Sequence, residues 1–228
     1  MLDCKNYVIT HRDYPIIEDD MYRALCVGGF RKDGWLCAAD GENIEQYNGR
    51  INELTGLYWI WKNTGSEYAG LSHYRRYFQN CGHRLDLTGV EDILVNDGND
   101  IILSPIRLGW PVHDNLRQAV GSDLSVPASR IVLDLISRRR PDYVDAFMKV
   151  MAGNRMYLCN MFVTRREIMN RYCEWLFSFM PDAADRIQVD GETGFRKRTA
   201  GYLGEIMLTV WMERQDLRVY ELPLEVVK

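Results

Sequence analysis

Residues 67–78, EYAGLSHYRRYF, pass from an apolar strand directly into a histidine and two arginines. Tyr68 to Leu71 is short and uncharged, as expected of a strand covered on both faces in a parallel sheet. In an open α/β sheet, ligands collect beyond the carboxyl ends of the strands. His73, Arg75 and Arg76 fall at such an end, where guanidinium forks can grip phosphate oxygens in charge-assisted, bidentate bonds. The alternative is local: Arg75 and Arg76 point to opposite sides and pair with nearby acids, and His73 is structural.

The flanking sequence alternates strands with helices. Asn6 to Thr10 (NYVIT) reads as a central strand with His11-Arg12-Asp13 as its exit, and residues 33–49 read as one long polar loop. In INELTGLYWIWKN the residues Leu54, Leu57, Tyr58 and Trp61 fall on one helical face. Asp100 to Ser104 (DIILS) reads as a strand closed by Pro105, followed by irregular chain to Ser125. Ser125 and Pro127 resemble a cap and first-turn proline of a helix through Ile136, and another helix starts at Pro141. Met156 to Thr164 (MYLCNMFVT) reads as a strand, then a helix spans Arg165 to about Met180. Residues 182–197 read as loop, and a helix from about Gly201 to Glu213 precedes a last strand, Arg218 to Leu222. This order predicts an α/β fold, a mixed, mostly parallel sheet flanked by helices.

Composition narrows the functional classes. The 228 residues suit one domain, 1–228, and a net charge of -4 leaves no general basic surface for duplex nucleic acid. The six cysteines form no C-x-x-C pair and no zinc spacing, so they read as free, mostly buried thiols. No signal peptide and no apolar run long enough to span a bilayer is present, which predicts a cytoplasmic protein. A peripheral association with the inner membrane, or with a polysaccharide-synthesis complex, stays open.

Strand ends supply the candidate site: Thr10 and His11, then His73, Arg75 and Arg76, then Ser104, then Asn160 inside MYLCNMF. For acid/base chemistry the best-placed carboxylate is Glu205 in TAGYLGEIML, where Gly201 and Gly204 would permit close approach at a helix start. Asp190 in QVDGETG and Asp123 in GSDL are further candidates, although turn and cap roles also explain them. Asn43 and Glu53 interrupt loop or apolar surroundings as polar anchors. The aromatic runs YWIW and YCEWLF have helical spacing and read as core rather than as sugar platforms.

Taken in order, ELTGLYWIWKN, YAGLSHYRRYF, YLCNMFVTRREIMNRYCEWLF and RTAGYLGEIMLTVW resemble a bacterial family long described only as a domain of unknown function. Its members are associated with exopolysaccharide and capsular polysaccharide biosynthesis and are similar to glycosyltransferases of the GT-A type. The resemblance covers nearly the whole chain, from VITHRDY to ELPLE. It implies a Rossmann-like, GT-A-like sheet and transfer of a sugar from a nucleotide-diphosphate donor to a glycan or lipid-linked acceptor in surface polysaccharide assembly, as for an O-antigen. Some relatives resemble galactofuranosyltransferases, which implies a UDP-sugar, UDP-galactofuranose, as substrate.

The Asp-x-Asp metal motif of such enzymes is not evident; His73-Tyr74-Arg75-Arg76 stands where it would fall. Asp19-Asp20 and Asp97-Gly98-Asn99-Asp100 lie in turn-like contexts and are not taken as ligands. The resemblance therefore implies an enzyme without a divalent metal, whose arginines neutralise the leaving diphosphate. On this reading Thr10 and His11 edge the nucleotide pocket, and His73, Arg75, Arg76 and Arg198 hold the diphosphate. Asn43, Glu53, Ser104, Asp123, Asn160 and Asp190 line the donor and acceptor side, and Glu205 is the base of an inverting transfer. GENIEQYNGRINELT keeps Asn43-Ile44 and Glu53 but otherwise departs from the family pattern, implying a donor or acceptor preference of its own. The competing class is a non-catalytic nucleotide-sugar or glycan-binding module of a polysaccharide-synthesis complex.

Overall fold

A computed structural model describes residues 2–227. Four parallel strands form one half of the main sheet: β1 (Cys4–Thr10), β2 (Tyr22–Cys26), β3 (Leu36–Cys37) and β4 (Tyr68–His73). Next come β5 (Arg76–Asn80), β6 (His83–Arg84), β7 (Ile101–Arg107), β8 (Arg155–Arg165), β9 (Val219–Glu221) and β10 (Leu224–Val226). The spatial order is β3-β2-β1-β4-β8-β7-β9, in which β8 alone runs against its neighbours. β10 pairs with β5, and β5 also meets β4 and β6. The sheet is thus mixed and mostly parallel, with helices against it.

Near-continuous burial of β1 and β4 follows from cover on both sides. On one side Leu54–Asn63 lies so close that a Cβ on Gly56 would come 2.5 Å from Ile9 Cδ1. Leu54, Leu57, Trp59 and Ile60 face the core, whereas Tyr58 and Trp61 rim the helix and meet Phe177. On the other side Tyr22 packs edge-on to Tyr77 and donates to the Leu85 carbonyl at 2.8 Å. The helices Val112–Val120, Ser122–Arg139 and Val144–Ala152 surround Thr199–Met212, which packs on β8.

Several expected boundaries move. Beta-strand β2 and the Val112–Val120 helix occupy segments that carry weak local signals. Pro105 does not end β7; it falls at a register shift, where a missing N–H is tolerated. The second long helix begins at Ser122 behind Gly121 at φ 86°, so Pro127 lies inside it and Ser125 is not its cap. Helix Arg166–Phe177 stops before Met180–Arg186, and Gly194–Lys197 is a short turn of helix, so residues 182–197 are not all loop. All six cysteines are free, and only Cys81 is exposed.

Gly70 shows how tightly β4 is enclosed: a Cβ there would lie 2.8 Å from the Phe162 carbonyl oxygen and 2.9 Å from Asn6 Nδ2 and Val163 Cγ2. One of these neighbours is backbone and cannot rotate away. Gly70→Ala is therefore expected to lower unfolding free energy by about 1–3 kcal/mol, read from the urea midpoint.

Candidate active site

The site begins with a break in β8. Between the pairs Leu103↔Phe162 and Pro105↔Tyr157, β7 offers only Ser104 while β8 supplies Leu158 to Met161. The excess is absorbed by Cys159 and Asn160, both left-handed at φ 58° and 52°. Asparagine tolerates that region and cysteine does so rarely, so the pair stores strain of the kind that collects at functional sites. The turn aims the Cys159 carbonyl at His73 Nε2, 3.0 Å away, and carries the Asn160 side chain inward.

There Asn160 Nδ2 donates to Glu53 Oε1 at 3.3 Å, and Tyr172 donates its hydroxyl to Asn160 Oδ1 at 2.7 Å. Glu53 is buried at the start of Leu54–Asn63, just after Asn52, another left-handed residue at φ 51°. Helix Thr199–Met212 crosses this corner through two glycines. A Cβ on Gly201 would come 2.4 Å from Asn52 Nδ2, and one on Gly204 2.4 Å from Leu54 Cδ1. The close approach predicted for these glycines is thus to the protein's own Asn52 and Leu54 side chains. It brings Glu205 beside Glu53.

Glu205 is the seventh residue of its helix, not a helix-start residue, so burial and neighbouring charges govern it rather than the helix dipole. Burial raises the pKa of both carboxyls, and the charge of Glu205 raises that of Glu53 further. Arg76, the Cys159 N–H and Arg198 counter the effect at Glu205 by favouring its anion. Glu53 has weaker compensation, from a backbone N–H, Asn160 and the more distant Arg198. Two adjacent carboxyls in a dry site cannot both ionise cheaply, so the first charge settles on Glu205 and the proton stays on Glu53.

The cationic side is built from two strand ends. Strand β4 ends at His73, Tyr74-Arg75 make a two-residue turn, and Arg76 opens β5 opposite His73. The arginines consequently diverge. Arg76 acts on Glu205, whereas Arg75 stacks on the Tyr74 ring at 5.1 Å and acts on His11. Tyr74 is a hub: Arg12 lies 5.1 Å from its centroid and donates Nη2 to its hydroxyl at 2.5 Å, and His11 and Tyr14 meet its edge. Partial burial and then the charges of Arg12, Arg198 and Arg75 depress the His11 pKa, so three guanidiniums converge there. Some other arginines have acids, such as Arg84 with Asp19 and Arg196 with Asp123 and Glu192. Among the described residues Arg12, Arg75, Arg76 and Arg198 make no such pair.

Thr10 is buried, and its hydroxyl closes a turn with the Arg12 backbone, which orients His11 and Arg12. Burial holds the His73 pKa down at about 4, so this histidine is neutral at physiological pH and ties β4 to the β8 break instead of adding positive charge. Ser104 is buried opposite the break. Three expected residues lie elsewhere. Asn43 binds the Ala39 and Gly41 carbonyls inside its own loop, Asp123 pairs with Arg196 at 2.7 Å, and exposed Asp190 faces Arg50 at 3.5 Å. Asn43, a short side chain on a polar turn, satisfies its own backbone first, whereas the two aspartates are drawn to arginines distant in the chain. Sequence reasoning missed Arg12, Tyr74, Cys159 and Tyr172; Arg12 follows a candidate strand end directly and was open to the same argument as His11. Among the described residues no cluster of three metal-ligating side chains occurs, and Asp19 instead caps Met21 and Tyr22.

Comparison with known proteins gives one family and two structures. The family described as "Domain of unknown function (DUF4422)" matches residues 5–216. A search of curated proteins found no match. The structure titled "WbbM bifunctional glycosytransferase apo structure" superposes with a TM-score of 0.87 at 23% identity, over 99% of this chain and 45% of that one. The chain thus spans under half the length of that protein, and the likeness establishes the GT-A-like fold. A core-mannan synthase A from Aspergillus fumigatus, in a Mn/GDP form, matches at 9% identity and a TM-score of 0.39, over 100% of this chain and 75% of that one.

The protonation of Glu53 has a measurable consequence. Its folded pKa lies above its ordinary value of 4.5, so its contribution to stability is complete below that value and is lost as pH rises through the raised pKa. Unfolding free energy should fall between about pH 5 and 8. Glu53→Gln, which mimics the neutral acid, should flatten that slope in denaturant titrations, whereas an unchanged slope would show that Glu53 is ionised.

Proposed function

Because the chain belongs to the DUF4422 family, whose pattern it carries over residues 5–216, and shares a glycosyltransferase fold, we propose that it transfers a sugar from a nucleotide-diphosphate donor to a glycan or lipid-linked acceptor. The observation that carries this reading is the convergence of Arg12, Arg75, Arg76 and Arg198, unpaired by acids, beside the carboxylate of Glu205 at the ends of β1 and β4. A diphosphate supplies the missing negative charge, and a carboxylate shielded from water supplies the base.

In the proposed step the acceptor oxygen bonds to the anomeric carbon while the bond from that carbon to the diphosphate oxygen breaks. Glu205 takes the acceptor's hydroxyl proton, and the diphosphate leaves with the bonding electrons. Inversion at the anomeric carbon follows from this single displacement. Arg76 is assigned two roles: it favours the anion of Glu205 in the resting site, and in the proposed step it offsets the charge that develops on the leaving group. Glu53, held neutral, adds no second negative charge against the phosphates. The four arginines stand in for a divalent cation. We assign the donor as a UDP-sugar, with UDP-galactofuranose the first to try, and the pathway as surface polysaccharide assembly. Among the described residues no helix is long and apolar enough to cross a membrane, so a lipid-linked acceptor would be met at the membrane surface.

Four measurements test this reading. Glu205→Gln should reduce turnover by about 10²–10⁴-fold while UDP still raises the melting temperature; full turnover in that variant would remove Glu205 as the base. Arg75→Ala and Arg198→Ala should each weaken UDP binding by about 10-fold, the loss of one charge-assisted contact. Transfer should persist in excess chelator, and activity restored only by manganese would overturn the arginine assignment. With Glu205 as the base, the acid limb of kcat/KM should lie above the ordinary carboxyl value of 4.5 and disappear in Glu205→Gln.

A further inference from the structure

A cavity of about 290 Å³ opens on the other side of Glu205, between the end of β7, the Val112–Val120 helix and the Thr199–Met212 helix. Its walls are Ile106, Leu108, Leu116, Met156, Leu158 and Ile206, with Ala119 exposed at the rim. Besides the Glu205 carboxylate, the side chains lining it offer hydrogen bonds only through Asn115 and Tyr202. Tyr202 also leans on Phe195, 60% exposed, whose ring lies 6.1 Å from that of Tyr202 and 5.3 Å from the Arg198 guanidinium. An aromatic edge therefore joins the arginine cluster to the apolar cavity, with Glu205 between them.

Resting on the transferase reading, we propose that this cavity is the acceptor subsite and that it selects a sugar bearing a methyl group, from a 6-deoxy carbon or an acetamido substituent. The volume is on the scale of one sugar ring plus a small substituent, at the bottom edge of the usual size of ligand sites. A fully hydroxylated hexose would bring more hydroxyls than Asn115, Tyr202 and Glu205 can satisfy, and each buried hydroxyl without a partner costs about 1–3 kcal/mol. A methyl group meets only apolar wall. The orientation is also constrained, because the reacting hydroxyl must face Glu205, and the substituent is then turned toward Leu108, Leu116 and Leu158. Exposed Phe195 gives the ring's C–H face a surface to lie against.

Saturation-transfer NMR with methyl glycosides tests the subsite without requiring turnover. The probes are an N-acetylhexosaminide, a 6-deoxyhexoside and the unsubstituted hexoside. One or both methyl-bearing sugars should bind at least about 10-fold more tightly than the plain hexoside, as one buried methyl group allows, with the strongest saturation on that methyl. The arm that binds identifies the source of the methyl. Ala119→Phe, which fills the rim from an exposed position, should abolish the preference, and so should Leu108→Ser, each checked for an unchanged circular dichroism spectrum. Equal affinity for all three sugars, or a preference that survives both substitutions, would overturn the assignment. The donor reading is separated by the UDP-induced melting shift in the same samples. A methyl preference without that shift would sink the transferase and leave a sugar-binding cavity; the shift without a preference would sink the subsite alone.

Discussion

The structure turns on the burial of two carboxyl groups against each other. Glu53 and Glu205 come from segments far apart in the chain; Glu53 is buried and Glu205 half-buried, and desolvation raises the pKa of both. Bringing them together requires two glycines on Thr199–Met212 and left-handed backbone at Asn52, Cys159 and Asn160. Such an arrangement costs stability through strain and desolvation, and it persists because the surrounding sheet and helices leave the chain no other course. It yields one carboxyl held neutral by burial and by the charge of Glu205, and one held as an anion by Arg76.

Positive charge is organised as economically. Tyr74 sits at the tip of the β4–β5 turn and supports Arg12 and Arg75 on its ring and hydroxyl, so two long side chains are ordered without an acid to neutralise them. Cation–π contact is suited to this purpose because it restrains a guanidinium while leaving its hydrogen-bond donors available. Some arginines elsewhere on the surface are anchored by carboxylates, as Arg196 is by Asp123 and Glu192, and others are not. What sets the cluster apart is that its guanidiniums converge on His11 and Glu205.

Much of the α/β order was legible in the sequence. NYVIT, YAGLSH, MYLCNMFVT and the IILS of DIILS lie in strands, since uncharged runs bounded by polar residues have little other way to be buried in a layered fold. Beta-strand β2 carries an arginine in YRALC and lacks that signature, and its place is decided by pairing with β1 rather than by its own pattern. The Pro127 position failed for a related reason: Gly121 and the packing beneath Ser122–Arg139 set the helix start, and the proline is accommodated inside. The candidates beside strand ends follow from topology, whereas Asn43 takes its partners from its own loop and Asp123 and Asp190 pair with Arg196 and Arg50, distant in the chain, contacts that no local pattern announces.

By itself the sequence determined the alternation of strands and helices, the clustering of His73, Arg75 and Arg76 at a strand end, and the presence of a carboxylate in a glycine-bearing helix. Periodicity, charge and residue type are local properties and need no partner to be read. Only the tertiary structure decided that Arg75 and Arg76 diverge, that His73 is neutral, that Arg12 joins the cluster, and that Glu53 and Glu205 share one buried corner. Those outcomes depend on which distant groups lie within a few ångströms and on how much water is excluded between them, and neither quantity is written in any one stretch of the chain.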